Sequence, residues 1–271
     1  MTFSDKRIAF VGGGNMAAAL IGGLLNAGWR PDQFVVVEPS SDQREGLRAR
    51  FSVATVDIPE KIEFAVDVVL WAVKPQMLSM VAQRSASRFH DALSISIVSG
   101  IHLETLCAWF GTDRVIRTMP NTPAQISRGV TGMLASDGAS SDDRVLSEQI
   151  MSAVGKVYWV ASDDEINSIC AVTGSGPGYV FYFLEAMQEA AESLGFSKEQ
   201  AREMVLLNAE GSVMQALADP ESFETLRARV TSKGGTTAAA IAVMSQGRMR
   251  EVIAEAMVAA KVRAWEMGDG R

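Results

Sequence analysis

Between residues 7 and 120, short apolar runs alternate with stretches in which apolar side chains recur every three or four positions. Those two periods are the marks of strands and amphipathic helices. The runs predict strands at 7–11, 34–38, 53–56, 68–73, 93–98 and 115–119, with helices at 15–27, 42–51, 76–87 and 103–109 between them. Val68-Val69-Leu70-Trp71-Ala72-Val73 is apolar without interruption, as suits a parallel strand covered on both faces. Strand–helix alternation of this kind implies right-handed crossovers and a doubly wound α/β sheet. From about residue 163 the texture changes to long helical periods over 179–194, 198–218, 237–244 and 249–267, without β-prone runs. Leu206, Ala209, Val213 and Leu217 share one helix face, and Ile253, Met257, Ala260 and Ala264 share another. The pattern therefore predicts two domains, 1–162 with a doubly wound sheet and 163–271 all helical, with no linker, repeat or low-complexity segment. The helical half is short for a self-contained core and rich in Ala and Met, so it is expected to pack against a second copy of itself.

Composition narrows the function. Hydrophobic residues make up 48% and charged residues 21% of the 271, as in an ordinary globular protein. The net charge of −7 lacks the basic footprint that binds phosphate backbones or anionic membranes. Nucleic acid and membrane are thus not expected as partners. Residues Ile8 to Trp29 carry no charge and follow Lys6-Arg7, which on composition resembles a signal peptide or a spanning helix. Six glycines in that stretch, three of them directly after Ile8-Ala9-Phe10-Val11, argue instead for a strand turning sharply into a helix. Two Cys and two His are too few for a disulfide framework or a zinc site, so no metal is expected and a reducing cytoplasm is the expected location. His90 is expected at the surface, His102 at a helix start, and Cys107 and Cys170 as buried thiols.

Gly12-Gly13-Gly14-Asn15-Met16-Ala17 matches G-x-G-x-x-A between a predicted strand and a predicted helix, and Glu38 ends the next strand. This is the Rossmann-like dinucleotide fingerprint. Gly12 makes the turn, Gly14 lets the pyrophosphate approach, and the helix N-terminus at Asn15 and Met16 supplies N–H donors. A carboxylate at Glu38 accepts from the ribose 2′-hydroxyl of NAD and repels the 2′-phosphate of NADP. Ser40 and Ser41 can donate to a phosphate if Glu38 turns away, so the residues lean only slightly to NADH. Ala72-Val73-Lys74-Pro75 and Met119-Pro120-Asn121-Thr122-Pro123 end predicted parallel strands, where open α/β sheets bind ligands. Lys74 and Asn121 are therefore candidates for the ribose–nicotinamide end, the alternatives being a solvated lysine and an ordinary proline turn.

Two glycine-rich segments, 173–179 and 231–237, precede helices in the second half. Read as loops, Ser175 and Gly176, and Ser232, Gly234, Gly235, Thr236 and Thr237, present N–H and hydroxyl donors suited to a substrate carboxylate. Either is also compatible with a simple Ser/Thr-capped helix start.

Taken together, the fingerprint, AVKP at 72–75, MPNTP at 119–123, GSGP at 174–177 and SxGGTT at 232–237 resemble the pyrroline-5-carboxylate reductase family over nearly the whole chain. The resemblance implies reduction of (S)-1-pyrroline-5-carboxylate to L-proline by NADPH or NADH, the last step of proline biosynthesis. It also implies a homodimer of interlocked helical domains, larger in some members. In such enzymes the SxGGTT segment holds the substrate carboxylate through its backbone, and the residue matching Thr237 hydrogen-bonds the imine nitrogen. The chain departs from the family at Lys233, where proline is usual, at Gly178, where alanine is, and at Glu38, where many members carry a residue suited to NADPH. A cyclic imine is electrophilic once protonated, so hydride alignment and one weak proton donor suffice, which accords with the scarcity of histidine. The alternatives are a β-hydroxyacid or 6-phosphogluconate-type dehydrogenase and a non-catalytic dinucleotide-sensing regulator. The first needs a catalytic Lys in G-x-G-x-x-x-K-x-x-N, and Val180 and Phe183 occupy its Lys and Asn positions.

Overall fold

The computed structural model describes residues 5–268. Among them, β1 (Ile8–Val11), β2 (Phe34–Val37), β3 (Ala54–Val56), β4 (Val68–Trp71), β5 (Leu93–Ser96), β6 (Val115–Met119), β7 (Gly129–Ala135) and β8 (Gly155–Trp159) form one sheet. Its order is β3-β2-β1-β4-β5-β6-β7-β8. The pairs are parallel as far as β6; β7 then runs antiparallel to β6, and β8 parallel to β7. The first six strands have the doubly wound order in which two mononucleotide-binding halves meet at β1 and β4. The expected fold class is the observed one.

The helices α1 (Asn15–Asn26), α2 (Ser41–Phe51), α3 (Pro75–Ser85), α4 (Leu103–Phe110) and α5 (Ser141–Ser152) accompany the sheet. Side chains alternate between its faces. Ile8, Phe10, Phe34, Val36 and Leu70 meet Leu20, Ile21 and Leu24 of α1 and Ile150 of α5 on one side. Ala9, Val11, Val35, Val69 and Trp71 meet Leu78 of α3 and Leu106 and Phe110 of α4 on the other. Full burial of each large apolar side chain contributes about 1.5–3 kcal/mol. Trp71 shows how closely this core is fitted: its ring stacks on Phe110 at 4.4 Å and 8°, and its Nε1–H donates to Ser94 Oγ at 3.3 Å.

All six expected strands are present, several ending earlier than the apolar run does. The run 68–73 leaves the ladder after Trp71 because the chain must turn toward Pro75, which keeps Lys74 extended (ψ 144°). The last two strands and α5 were not anticipated. Gly129–Ala135 carries two glycines and no clear alternation, and β8 is only partly covered. α5 did leave a signal, the capping box in which Ser140 Oγ accepts the Asp143 N–H at 3.1 Å and Asp143 accepts the Ser140 N–H at 3.0 Å.

Beyond β8 lie α6 (Asp163–Ile169), α7 (Gly176–Ser193), α8 (Lys198–Ala218), α9 (Phe223–Arg229), α10 (Thr236–Gln246) and α11 (Met249–Gly268). The 173–179 segment is not a loop. Cys170–Gly174 forms a π-helical turn closed by the Ser175 N–H on Cys170 O at 2.8 Å, and α7 starts directly at Gly176. Pro177 sits in the first turn of α7, where its missing N–H leaves no bond unmade.

The chain divides into two compact units, one of residues 1–175 with 260–271 and one of residues 176–259. In the first, the buried Arg117 guanidinium of β6 pairs with Asp163 at the start of α6. Asp163 also accepts the Leu103 N–H at 3.2 Å and lies 3.5 Å from His102 Nδ1. Removing the carboxylate would strand a buried charge. His102 is the N-terminal flanking residue of α4, as expected, and His90 is exposed. Cys107 and Cys170 are half-buried rather than fully buried. Burial pushes both thiols above their usual pKa, with Asp113 adding to the effect at Cys107. In the second unit α7 packs on α8, burying Ala201 and Val205. Phe181 (67%), Tyr182 (75%), Leu217 (74%) and Phe223 (82%) stay exposed in the single chain.

Candidate functional site

At the carboxyl ends of β1, β2 and β4 opens a cavity of about 840 Å³, lined in part by Gly12, Gly13, Gly14, Glu38 and Lys74. Gly12 has φ +103°, and a Cβ there would stand 2.6 Å from Ala72 O, so only glycine fits between the two strands. Above Gly14 the space is open: a Cβ would meet nothing within 4 Å. Gly14 flanks α1 without any side-chain cap, and no acidic residue occupies the first turn. The N–H groups of Asn15 and Met16 therefore remain free of intrahelical partners and form the positive end of the helix dipole. A cradle of this kind fits a pyrophosphate.

Glu38 is held in place by backbone donors. Its Oε2 accepts the Gly13 N–H at 2.9 Å and its Oε1 accepts the Ser40 N–H at 3.0 Å. The Gln43 amide, in the orientation that satisfies both groups, donates to Oε2 at 3.0 Å. The carboxylate thus ties the turn after β1 to the turn after β2 and keeps lone pairs for a ribose hydroxyl. Arg44 Nη1 donates to the carbonyls of Glu38 and Pro39, 2.7 Å each.

Lys74 flanks α3 at its N-terminus, with its side chain exposed at the cavity rim. Asn121 does not line the cavity. It is buried, with its Nδ2 donating to Thr173 O at 3.0 Å and its Oδ1 accepting the Val130 N–H at 2.8 Å. The side chain therefore fastens the turn after β6 to β7 and to the π-helical turn before α7. Arg84 was not anticipated, although Met77, Val81 and Arg84 fall on one face of α3 and all three line the cavity; the i, i+4, i+7 spacing was the available signal.

The 231–237 segment lies in the other unit. The Gly235 N–H donates to Ser232 O at 3.0 Å across a tight turn whose third residue, Gly234, has φ +75°. Gly235 then flanks α10 without a side-chain cap, and the first turn of α10 has no acidic residue. Thr236 is exposed and Thr237 half-buried at the head of that helix. Ser175 lies between the π-helical turn and α7, and Gly176 is the first residue of α7, so neither presents loop donors.

Residues 163–267 match the family model for pyrroline-5-carboxylate reductase dimerisation. Residues 7–100 match the model described as NADP oxidoreductase, coenzyme F420-dependent. The chain is 39% identical to a pyrroline-5-carboxylate reductase of Vibrio alginolyticus and 40% identical to one of Haemophilus influenzae, each over 97% of both chains. A solved pyrroline-5-carboxylate reductase from Coxiella burnetii superposes with a TM-score of 0.90 at 38% identity, covering 97% of this chain and 98% of the other. A Plasmodium falciparum pyrroline carboxylate reductase solved with NADP bound shares the fold, with a TM-score of 0.87 at 24% identity over 98% and 99%. These likenesses support a nicotinamide dinucleotide cofactor, and the matched residues 7–100 include the glycine turn that lines the cavity. With identity of this order over nearly its whole length, the chain belongs to the pyrroline-5-carboxylate reductase family.

Proposed function

We propose that the protein reduces (S)-1-pyrroline-5-carboxylate to L-proline with NADPH or NADH, completing proline biosynthesis in the cytoplasm as a homodimer formed through residues 163–271. The observation that carries this reading is the uncapped head of α10 behind the 232–235 turn, in a chain about two-fifths identical to reductases of that name. When bound, the dihydronicotinamide supplies the hydride to the carbon of the C=N bond. Gly12, Gly14, Asn15 and Met16 grip the pyrophosphate, Glu38 accepts from the adenosine ribose, and Lys74 stands toward the nicotinamide end, while Asn121, buried outside the cavity, fastens the turn after β6. The carboxylate of the substrate takes the backbone N–H groups of Gly234, Gly235 and Thr236 with the Ser232 hydroxyl. The Thr237 hydroxyl hydrogen-bonds the imine nitrogen and organises the single proton that the reaction consumes.

Glu38 favours NADH, since a fixed carboxylate at the ribose repels a 2′-phosphate. Free, half-buried thiols accord with a reducing compartment, and among the described residues no helix is long and apolar enough to cross a membrane. The dehydrogenase alternative lacks its acid/base group, with Val180 and Phe183 in place of Lys and Asn. The deciding experiment follows NAD(P)H absorbance with pyrroline-5-carboxylate. Imine-dependent oxidation that yields proline is expected; NAD(P)H binding without turnover would favour a dinucleotide-sensing regulator.

A further inference from the structure

The 232–235 turn carries one charged side chain, and nothing in the turn's geometry calls for it. The turn is closed by the Gly235 N–H on Ser232 O, with positive φ at its third residue, Gly234, and not at its second, Lys233. That is the type II pattern, whose second position suits proline because a fixed φ near −65° lowers the entropy cost of the turn. A lysine there contributes no such rigidity. Its side chain is exposed and forms no ion pair or hydrogen bond among the described residues. Nearby Arg229 is already paired with Asp219 at 2.6 Å and Glu221 at 3.7 Å. The surrounding half of the chain is acidic, with sixteen Asp and Glu against ten Lys and Arg from residue 163 onward. A carboxylate approaching this half meets net repulsion, and Lys233 is an uncommitted positive charge directly before the donors at the head of α10.

We propose that Lys233 is an electrostatic specificity residue for this site, drawing an anionic carboxylate substrate to the 232–237 turn while the backbone and Thr237 do the holding and the chemistry. This rests on the assignment of the turn to the substrate carboxylate. An exposed charge acts through water and is screened by salt, with a Debye length of about 8 Å at physiological ionic strength. Its effect therefore falls on substrate capture rather than on the chemical step, and is on the order of three- to tenfold at low salt.

The test uses the full-length protein and four forms: wild type, Lys233→Gln, Lys233→Arg and Lys233→Pro, assayed with pyrroline-5-carboxylate and NAD(P)H at low and high ionic strength. Lys233→Gln is expected to raise KM for the imine about three- to tenfold at low salt, with kcat and the KM for NAD(P)H unchanged, and the gap is expected to close at high salt. Lys233→Arg should retain the wild-type KM and its salt dependence. Lys233→Pro should share the KM defect even though it stiffens the turn, which separates charge from geometry. Equal imine KM values for wild type and Lys233→Gln at low salt would overturn the proposal, as would a defect that salt leaves unchanged or that Lys233→Arg shares. A wild type that oxidises NAD(P)H with no imine dependence would instead overturn the assigned reaction, and the role of the lysine with it.

Discussion

Two residues, Glu38 and Thr237, carry the sharpest consequences at the finest scale. Glu38 was legible as the acidic residue closing the second strand, because the fingerprint fixes its distance along the chain. Its grip on the Gly13 and Ser40 N–H groups was not legible, since it depends on a rotamer and on two turns meeting in space. Replacement by serine removes the fixed negative charge and both of those bonds. Glu38→Ser is therefore expected to shift the ratio of kcat/KM values from NADH toward NADPH, measured with each cofactor in turn; a wild type with a strong NADPH preference that the substitution leaves unchanged would refute the argument. Under the proposed reaction, Thr237→Ala removes the hydroxyl that organises the proton and leaves the glycine-lined cavity untouched. Turnover is expected to fall about 10²-fold or more while NAD(P)H binding, read by fluorescence titration, stays within about twofold; comparable losses in both would refute the role. Asn121 teaches the opposite lesson. Its strand-end position was readable, but its amide turns inward to Thr173 and Val130, because buried carbonyl and N–H groups at that junction need partners.

Among the elements, period and apolar runs located six strands and the helices between them, because a two-sided core leaves an unbroken hydrophobic mark. β7, β8 and α5 escaped because their signals are weak or local: glycines within one strand, partial cover on the other, and a capping box at the helix. That capping residue bears on pH. Burial pushes the Asp143 carboxyl up, but hydrogen bonds from Arg114 and from the Ser140 side chain and backbone outweigh it and hold the group below its usual range. A depressed folded pKa means that the contribution to stability is complete above the unfolded value of about 3.9 and disappears as pH falls through the folded one. Asp143→Asn should accordingly lower Tm clearly near pH 7, and the difference from wild type should shrink as the melts are taken toward pH 3. A difference that stays constant across that range would show that the carboxylate's charge is not what stabilises the start of α5. The π-helical turn at Cys170–Gly174 belongs to this scale as well. Glycines that read as a loop were absorbed into helix, since a bulge of one residue keeps most backbone bonds while re-aiming the chain.

Across the whole molecule, the two units differ in how far a single chain satisfies them. The first buries both faces of its sheet. The second buries little beyond Ala201 and Val205 and leaves Leu207 (61%) and Leu217 (74%) exposed on α8, which fits a surface completed by a second copy. Leu207→Glu combined with Leu217→Glu is expected to lower the sedimentation coefficient toward that of a monomer and to reduce turnover in parallel. A variant that sediments as the wild type does would place the association elsewhere on the molecule.

The sequence by itself determined the doubly wound sheet, the glycine fingerprint with its acidic partner, the helical second half and the SxGGTT segment, because each is written in local spacing that folding only has to honour. The tertiary structure decided which polar groups are already engaged: Glu38 on two backbone turns, Asn121 on a strand and a helix, Arg117 on Asp163, and Lys233 on nothing among the described residues. Hydrogen bonds and ion pairs join groups far apart in the chain, over distances of a few ångströms that no spacing along a sequence can specify.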